Sequence, residues 1–152
     1  MGLDNGIFLS YKNRKGRNEN CGIDDTKEIL EELLNNEDYL HSYVPYFDNL
    51  SNDICYWRKC WGLRNTFMRY LEGKYNPDEY EYYLDEEDIN QIINILLDAI
   101  QNPDDWESPV WSWGEYLNNN VENLGNLLRL RHDIQQGFIN LDFVNVIWYD
   151  SY

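Results

Sequence analysis

Apolar residues recur along this chain with two periods, and the periods divide it into elements. Leu3, Ile7, Leu9 and Tyr11 share one parity, which predicts a strand over Leu3–Tyr11 with one buried face. Asn5-Gly6 can place a turn or bulge inside it. Asp24-Asp25-Thr26-Lys27-Glu28 then opens a helix, because Asp25 caps and the acids favour the positive helix end. Its apolar stripe is Ile29, Leu30, Leu33 and Leu34. Tyr39 to Asn49, interrupted by Pro45, is irregular.

The best-patterned apolar stretch follows the cap cluster Ser51-Asn52-Asp53. Ile54 to Leu71 reads as one central helix, stopped by Gly73. At about 100° per residue, Ile54, Trp57, Cys60, Trp61, Phe67, Met68 and Leu71 share one arc. Arg58, Asn65 and Arg69 lie on an adjoining polar edge, and Arg64 lands inside the apolar arc. A guanidinium there cannot lose its proton, so it needs a carboxylate, carbonyls or an anion.

Asn76-Pro77-Asp78 signals a turn, and Glu79 to Tyr83 reads as a loop or edge segment. Asp85 caps a helix whose buried stripe is Ile89, Ile92, Ile93, Leu96, Leu97 and Ile100, and Asn102-Pro103 ends it. Ser112 to Glu115 has capping-box spacing. The helix it opens keeps Tyr116, Leu117, Val121, Leu124, Leu127, Leu128 and Ile134 near one face, and Gln136-Gly137 ends it. Gly125 is either a weak point or a place of close helix contact. Phe138 to Tyr149 reads as a strand with apolar residues at both parities, hence covered on both faces or central. The expectation is one α+β domain over residues 1–152. Three or four helices pack on a small, mainly antiparallel sheet that includes the N- and C-terminal strands.

Charge changes the picture. The chain has 28 acids against 12 bases, a formal net charge of −16, which argues against nonspecific binding to nucleic acid. Acidity can simply maintain solubility, or it can imitate a polyanion toward a basic partner. Thirteen Tyr, six Trp and five Phe supply side chains suited to cores and to binding surfaces alike. The basic loop Lys12 to Asn18 is too short for a nucleic-acid arm in so acidic a chain. Cys21, Cys55 and Cys60 are odd in number, and with neither a secretory signal nor a membrane-length apolar run they predict reduced thiols inside a cell.

Searches for chemistry end without a catalytic set. There is no glycine-rich phosphate loop, nucleophile elbow or metalloprotease helix, and no cofactor is expected. Cys55 and Cys60 do not face each other on a helix, and His41 and His132 show no ligand spacing, so no metal is expected. Arg58 and Lys59 can lower the Cys55 thiol pKa, but no His stands at motif spacing.

Met1-Gly2-Leu3-Asp4, Tyr56-Trp57-Arg58-Lys59 with Arg64-Asn65, and the aromatic end Trp148-Tyr149-Asp150-Ser151-Tyr152 together resemble a group of small uncharacterised proteins of bacteriophages and mobile elements. The resemblance covers the two ends and the central stretch, about a third of the chain. It implies an origin, and with it the cytoplasm of a bacterial host, but no catalytic residues. If the terminal strands pair, Asp4 is the first candidate partner for Arg64 and Asp142 the second, as a structural ion pair.

Two binding readings follow. In the first the protein is an inhibitor of a host defence or nucleic-acid enzyme, of anti-CRISPR or anti-restriction type, and leans toward no enzymatic activity of its own. Its partner is a protein with a basic surface, such as a nuclease. Glu28, Glu31, Glu32, Glu37 and Asp38 would face that surface, with Asp85, Glu86, Glu87, Asp88, Asp104, Asp105 and Glu107 extending it. Tyr80, Tyr82 and Trp106 would be the aromatic hot spots. In the second, Arg58, Arg64, Asn65 and Arg69 line an anion or nucleotide pocket floored by Trp57 and Trp61.

Overall fold

A computed structural model describes residues 4–11, 31, 34–36, 53–75, 81–103, 106, 112–142 and 144–151. Strand β1 is Asp4–Tyr11, β2 is Asp53–Arg58, β3 is Glu81–Tyr83 and β4 is Val144–Ser151. Helix α1 is Trp61–Lys74, α2 is Glu86–Gln101 and α3 is Trp113–Gln135. The four strands form one antiparallel sheet in the order β2-β1-β4-β3, so the terminal strands pair at its centre. These three helices pack on it, and the fold of the described residues is α+β. Of the predicted helix with the stripe Ile29, Leu30, Leu33 and Leu34, the described residues Glu31, Leu34 and Asn35 are helical, but Leu34 is exposed and not part of a buried stripe. The rest of that helix, the Lys12 to Asn18 loop and the turn at Asn76 lie outside the described residues.

The central stretch departs from the single helix expected of it. Its first part is strand β2, where Cys55 and Trp57 are buried and Tyr56 and Arg58 point away. That alternation, in a run of β-branched and aromatic residues, satisfies the strand period as well as the helical one. The change of period is made at Lys59, held at φ +55°, and α1 begins at Trp61. Leu63, Phe67, Met68 and Leu71 then form the buried stripe of α1, while Trp61 is exposed. The last strand also starts later than expected. Phe138 is exposed in the turn after Gly137, and only Val144–Ser151 pairs. Val144, Val146 and Trp148 are buried on one face of β4, Asn145 and Ile147 on the other, as its two apolar parities require.

Trp57, Phe67 and Trp148 form the centre of the core, with ring centroids 5.1 to 5.9 Å apart. Arrangement of tilted and edge-on rings adds to the area that they bury. Helix α2 begins in a full capping box: the Asp85 carboxylate accepts the Asp88 N–H and the Asp88 carboxylate accepts the Asp85 N–H. It buries Ile89, Ile92, Ile93 and Leu96, as its stripe predicts, and its C-cap is Asn102.

Helix α3 is capped by Ser112 as expected but turns a different face inward. Asn120 and Asn123 are buried, whereas Leu117, Val121 and Leu128 are exposed. The reason is the open edge of β2, whose backbone groups need partners. The Nδ2 groups of Asn119 and Asn123 donate to the Tyr56 carbonyl, and Asn126 Nδ2 donates to the Ile54 carbonyl. The Tyr56 N–H donates to Asn123 Oδ1, and Trp57 Nε1 donates to Asn120 Oδ1 at 3.0 Å. A row of asparagines thus covers the sheet edge.

Gly6 is where β1 can carry no side chain. A Cβ there would strike the Cys55 carbonyl oxygen and come within 2.9 Å of the Tyr149 ring. The expected irregularity sits close by, as a register shift between Ile7 and Phe8 against β2. Gly6→Ala should cost about 1–3 kcal/mol, since the Tyr149 ring can move but the Cys55 backbone is held in the sheet. Urea unfolding reads that loss directly, and an unchanged midpoint contradicts the close packing.

Candidate functional site

The sheet has one face under the described helices; on its other face Asn145 and Ile147 are buried as well, while Tyr56 and Tyr83 are half-exposed. On the second face the register sets Tyr56, Gly6, Tyr149 and Glu81 in one row, and Asp53, Phe8, Ile147 and Tyr83 in the next. Tyr56 is 45% exposed and Tyr83 46%, and Asp53 and Glu81 are exposed beside them. The Tyr56 hydroxyl donates to Asp4 Oδ1 at 2.9 Å. Burial, followed by the charges of Asp53 and Asp4, pushes the Tyr149 phenol up to about 12. The Tyr149 and Tyr56 phenols, both held above the usual range by burial and nearby acids, therefore stay protonated. Arg58 is the one basic residue in the described strands, and it lies opposite Asp4.

Beyond Tyr83 the surface stays acidic, with Asp85, Glu86 and Glu87 exposed at the start of α2. A recess of about 210 Å³ opens there between Tyr83, Leu84, Asp85, Leu141 and Val146. Asn145 is among the residues that line it, and its side-chain NH2 is buried without a hydrogen-bond partner among the described residues. A recess of this size can take one partner side chain.

Several expected surface residues stand elsewhere. Tyr82 is buried against Tyr75, and its neighbour Tyr83 is the exposed aromatic. A shift of one residue in a strand exchanges the faces. Trp106 is partly buried on the core. Glu31 is exposed. Glu28, Glu32, Glu37, Asp38, Tyr80, Asp104, Asp105 and Glu107 lie outside the described residues.

Asp88 belongs to the interior. Its carboxylate has no exposed surface and takes four donors. Oδ1 accepts from the Tyr70 hydroxyl at 2.8 Å and from Lys74 Nζ at 3.0 Å. Oδ2 accepts from the Tyr75 hydroxyl and from the Asp85 N–H. Burial alone pushes this carboxyl up, but the Tyr75, Asp85, Lys74 and Tyr70 donors prevail and hold it below the usual carboxylate range. Burial and the Asp88 charge push the Tyr70 phenol up to about 12. All four acceptor positions are filled, so the group fastens the end of α1 to the start of α2.

The anion pocket is not assembled. Trp57 lies in β2 with its ring in the core, and Trp61 is on α1 at the surface. Arg64 is committed to Asp150, with Nε 3.2 Å from Oδ1 and Nη2 2.5 Å from Oδ2. The ion pair expected with Asp4 or Asp142 is therefore made with Asp150. Asp150 pairs in register with Asn5, one residue further along β1 than Asp4, and so faces the helices. Asn65 accepts from Arg64 Nη1, while Arg58 and Arg69 are exposed on β2 and α1.

Nor is Cys55 an activated nucleophile. Burial pushes its thiol well up, and its Sγ lies 3.6 Å from the Asn123 carbonyl, while Arg58 points to the other face. Among the described residues no group of three His, Cys, Asp or Glu gathers as a metal ion requires. No described helix is long and apolar enough to cross a membrane. Compared with known proteins, the chain matches no family model, no curated protein and no solved structure.

Proposed function

We propose that this protein is a binding protein of bacteriophage or mobile-element origin that docks on the basic surface of a host nucleic-acid-handling enzyme and inhibits it. The carrying observation is the outward sheet face, where half-exposed Tyr56 and Tyr83 stand among Asp4, Asp53 and Glu81. Aromatic anchors with a polar tip, set in a field of one sign, suit recognition of a surface rich in Lys and Arg. The acids at the start of α2 continue that field past Tyr83. A net charge of −16 speeds encounter with such a partner and repels free nucleic acid.

The test is capture from a bacterial lysate with the wild-type chain and with a Tyr56→Ser/Glu81→Lys/Tyr83→Ala variant. Tyr56 and Tyr83 are at least 45% exposed and Glu81 is exposed, and a cooperative melting transition of the variant serves as the folding control. The wild type should retain a basic nuclease or related enzyme, lose it at raised salt, and lower its activity. Capture of that enzyme unchanged by the triple substitution rules out the sheet face. Recovery of no nucleic-acid-handling protein from a defence-competent host rules out the function.

A further inference from the structure

The recess at the end of β3 has fixed walls. β3 stops at Tyr83, opposite Ile147, while Val144, Asn145 and Val146 of β4 run on past it. The Leu84 N–H still donates to the Val146 carbonyl at 2.8 Å, and Asp85 then turns the chain into α2. The stretch around Leu141 is tied down as well. The Val144 N–H donates to the Asn140 carbonyl and the Asp142 N–H to Asn140 Oδ1, both at 2.9 Å. Walls held in this way need no ordering by an occupant.

We propose that the recess seats one arginine side chain of the basic partner, with its methylenes against Leu141 and Val146 and its guanidinium between the Tyr83 ring and the Asp85 carboxylate. The seat presupposes the partner proposed above and names the group by which that partner is held. A volume of about 210 Å³ falls short of the roughly 300–1,000 Å³ usual for small-molecule sites and suits a single side chain. Leu84, Leu141, Val144 and Val146 offer apolar walls to an alkyl stem. Tyr83 adds a half-exposed aromatic ring and Asp85 an exposed anion, the two groups that hold a cationic tip.

Charge selects that cationic tip. Lys74 Nζ lies 2.8 Å from Asp85 Oδ2, 3.0 Å from Asp88 Oδ1 and 3.6 Å from Glu87 Oε2. It is one base beside the acid run Asp85-Glu86-Glu87-Asp88, so the rim stays negative. A carboxylate oxygen has two lone pairs, and Asp85 can accept a guanidinium N–H besides the bonds it makes to Lys74 and the Asp88 N–H. Arginine is favoured over lysine because its planar, weakly hydrated guanidinium stacks on an aromatic ring and leaves water more readily.

The probe is N-acetyl-L-arginine amide, titrated into the isotope-labelled chain and followed through its amide resonances. Shifts should saturate with a dissociation constant on the order of 1 mM and gather at Tyr83, Leu84, Leu141 and the Asn145 side-chain NH2. N-acetyl-L-citrulline amide, of the same shape without the charge, should bind several-fold more weakly, and so should the lysine amide. Asp85→Asn removes the charge but keeps a capping acceptor, and Tyr83→Ala removes the ring. Each should weaken the arginine amide several-fold, with cooperative melting as the folding control.

Unsaturated shifts scattered over the acidic surface overturn the seat. Citrulline bound as well as arginine does the same, as does binding indifferent to both substitutions. Lysine amide bound equally well overturns the choice of arginine. Capture of a basic nuclease by a chain that does not bind the arginine amide removes the seat and leaves the proposed function standing. Arginine amide bound at the seat of a chain that captures no nucleic-acid-handling enzyme does the reverse.

Discussion

Arg64→Ala should lower the folding free energy by about 3 to 5 kcal/mol, the usual cost of leaving one partner of a buried ion pair alone. Arg64 is 15% exposed and Asp150 8%, so neither charge is well hydrated. The two-point contact through Nε and Nη2 fixes α1 over the strand that closes the sheet. Without the guanidinium, the Asp150 carboxylate would remain on the helix-facing side of β4 beside Asn5, whose own amide has no partner among the described residues. The melting temperature should fall by about 10 °C. Removing both charges together, as Arg64→Met/Asp150→Leu, should restore most of the loss, because a buried pair is often no better than well-packed apolar groups. An unchanged melting temperature in the single variant would sink the structural role of the pair.

The second large effect is at Asp88. Asp88→Ala removes the acceptor shared by Tyr70, Tyr75 and Lys74 and half of the capping box. Hydrogen bonds to a charged acceptor contribute about 1.5–3 kcal/mol each. The Lys74 ammonium is about a third exposed and regains water, so its share is discounted. The expected net loss is about 3 to 4 kcal/mol. The pH dependence has a definite sign. The folded-state pKa of Asp88 is lowered, so its contribution is complete above the unfolded value of about 3.9 and vanishes as pH falls through the folded value. The stability gap between wild type and Asp88→Ala should therefore be constant near neutrality and narrow at acid pH. Urea titrations at a series of pH values measure it, and a gap that widens on acidification contradicts the ionised, hydrogen-bonded carboxylate.

How far the sequence carried can be judged at particular residues. Asp85 was legible as a cap because capping acts within four residues, and the stripe from Ile89 to Leu96 because one helix face is written in one segment. Pairing of the two chain ends was legible from their strand patterns. The boundary at Lys59 was not, because Cys55 and Trp57 satisfy the strand and the helix periods together. Asp88 was taken for surface since it ends a run of four acids. Its burial comes from Tyr70 and Lys74 on another helix and from Tyr75, the residue that caps that helix. Tyr82 and Asp150 each hinged on strand parity, where a displacement of one residue reverses the face.

Taken alone, the sequence determined the kind of most elements outside Asp53–Arg58, the Asp85 and Ser112 caps, the antiparallel meeting of the ends and the strongly negative charge. These follow from neighbouring residues or from simple sums. The tertiary structure decided that Arg64 meets Asp150, that asparagines and not leucines of α3 face the sheet edge, and that Tyr56 and Tyr83 look outward. Those outcomes depend on which backbone groups remain unpaired once distant strands have joined, and no local period encodes that.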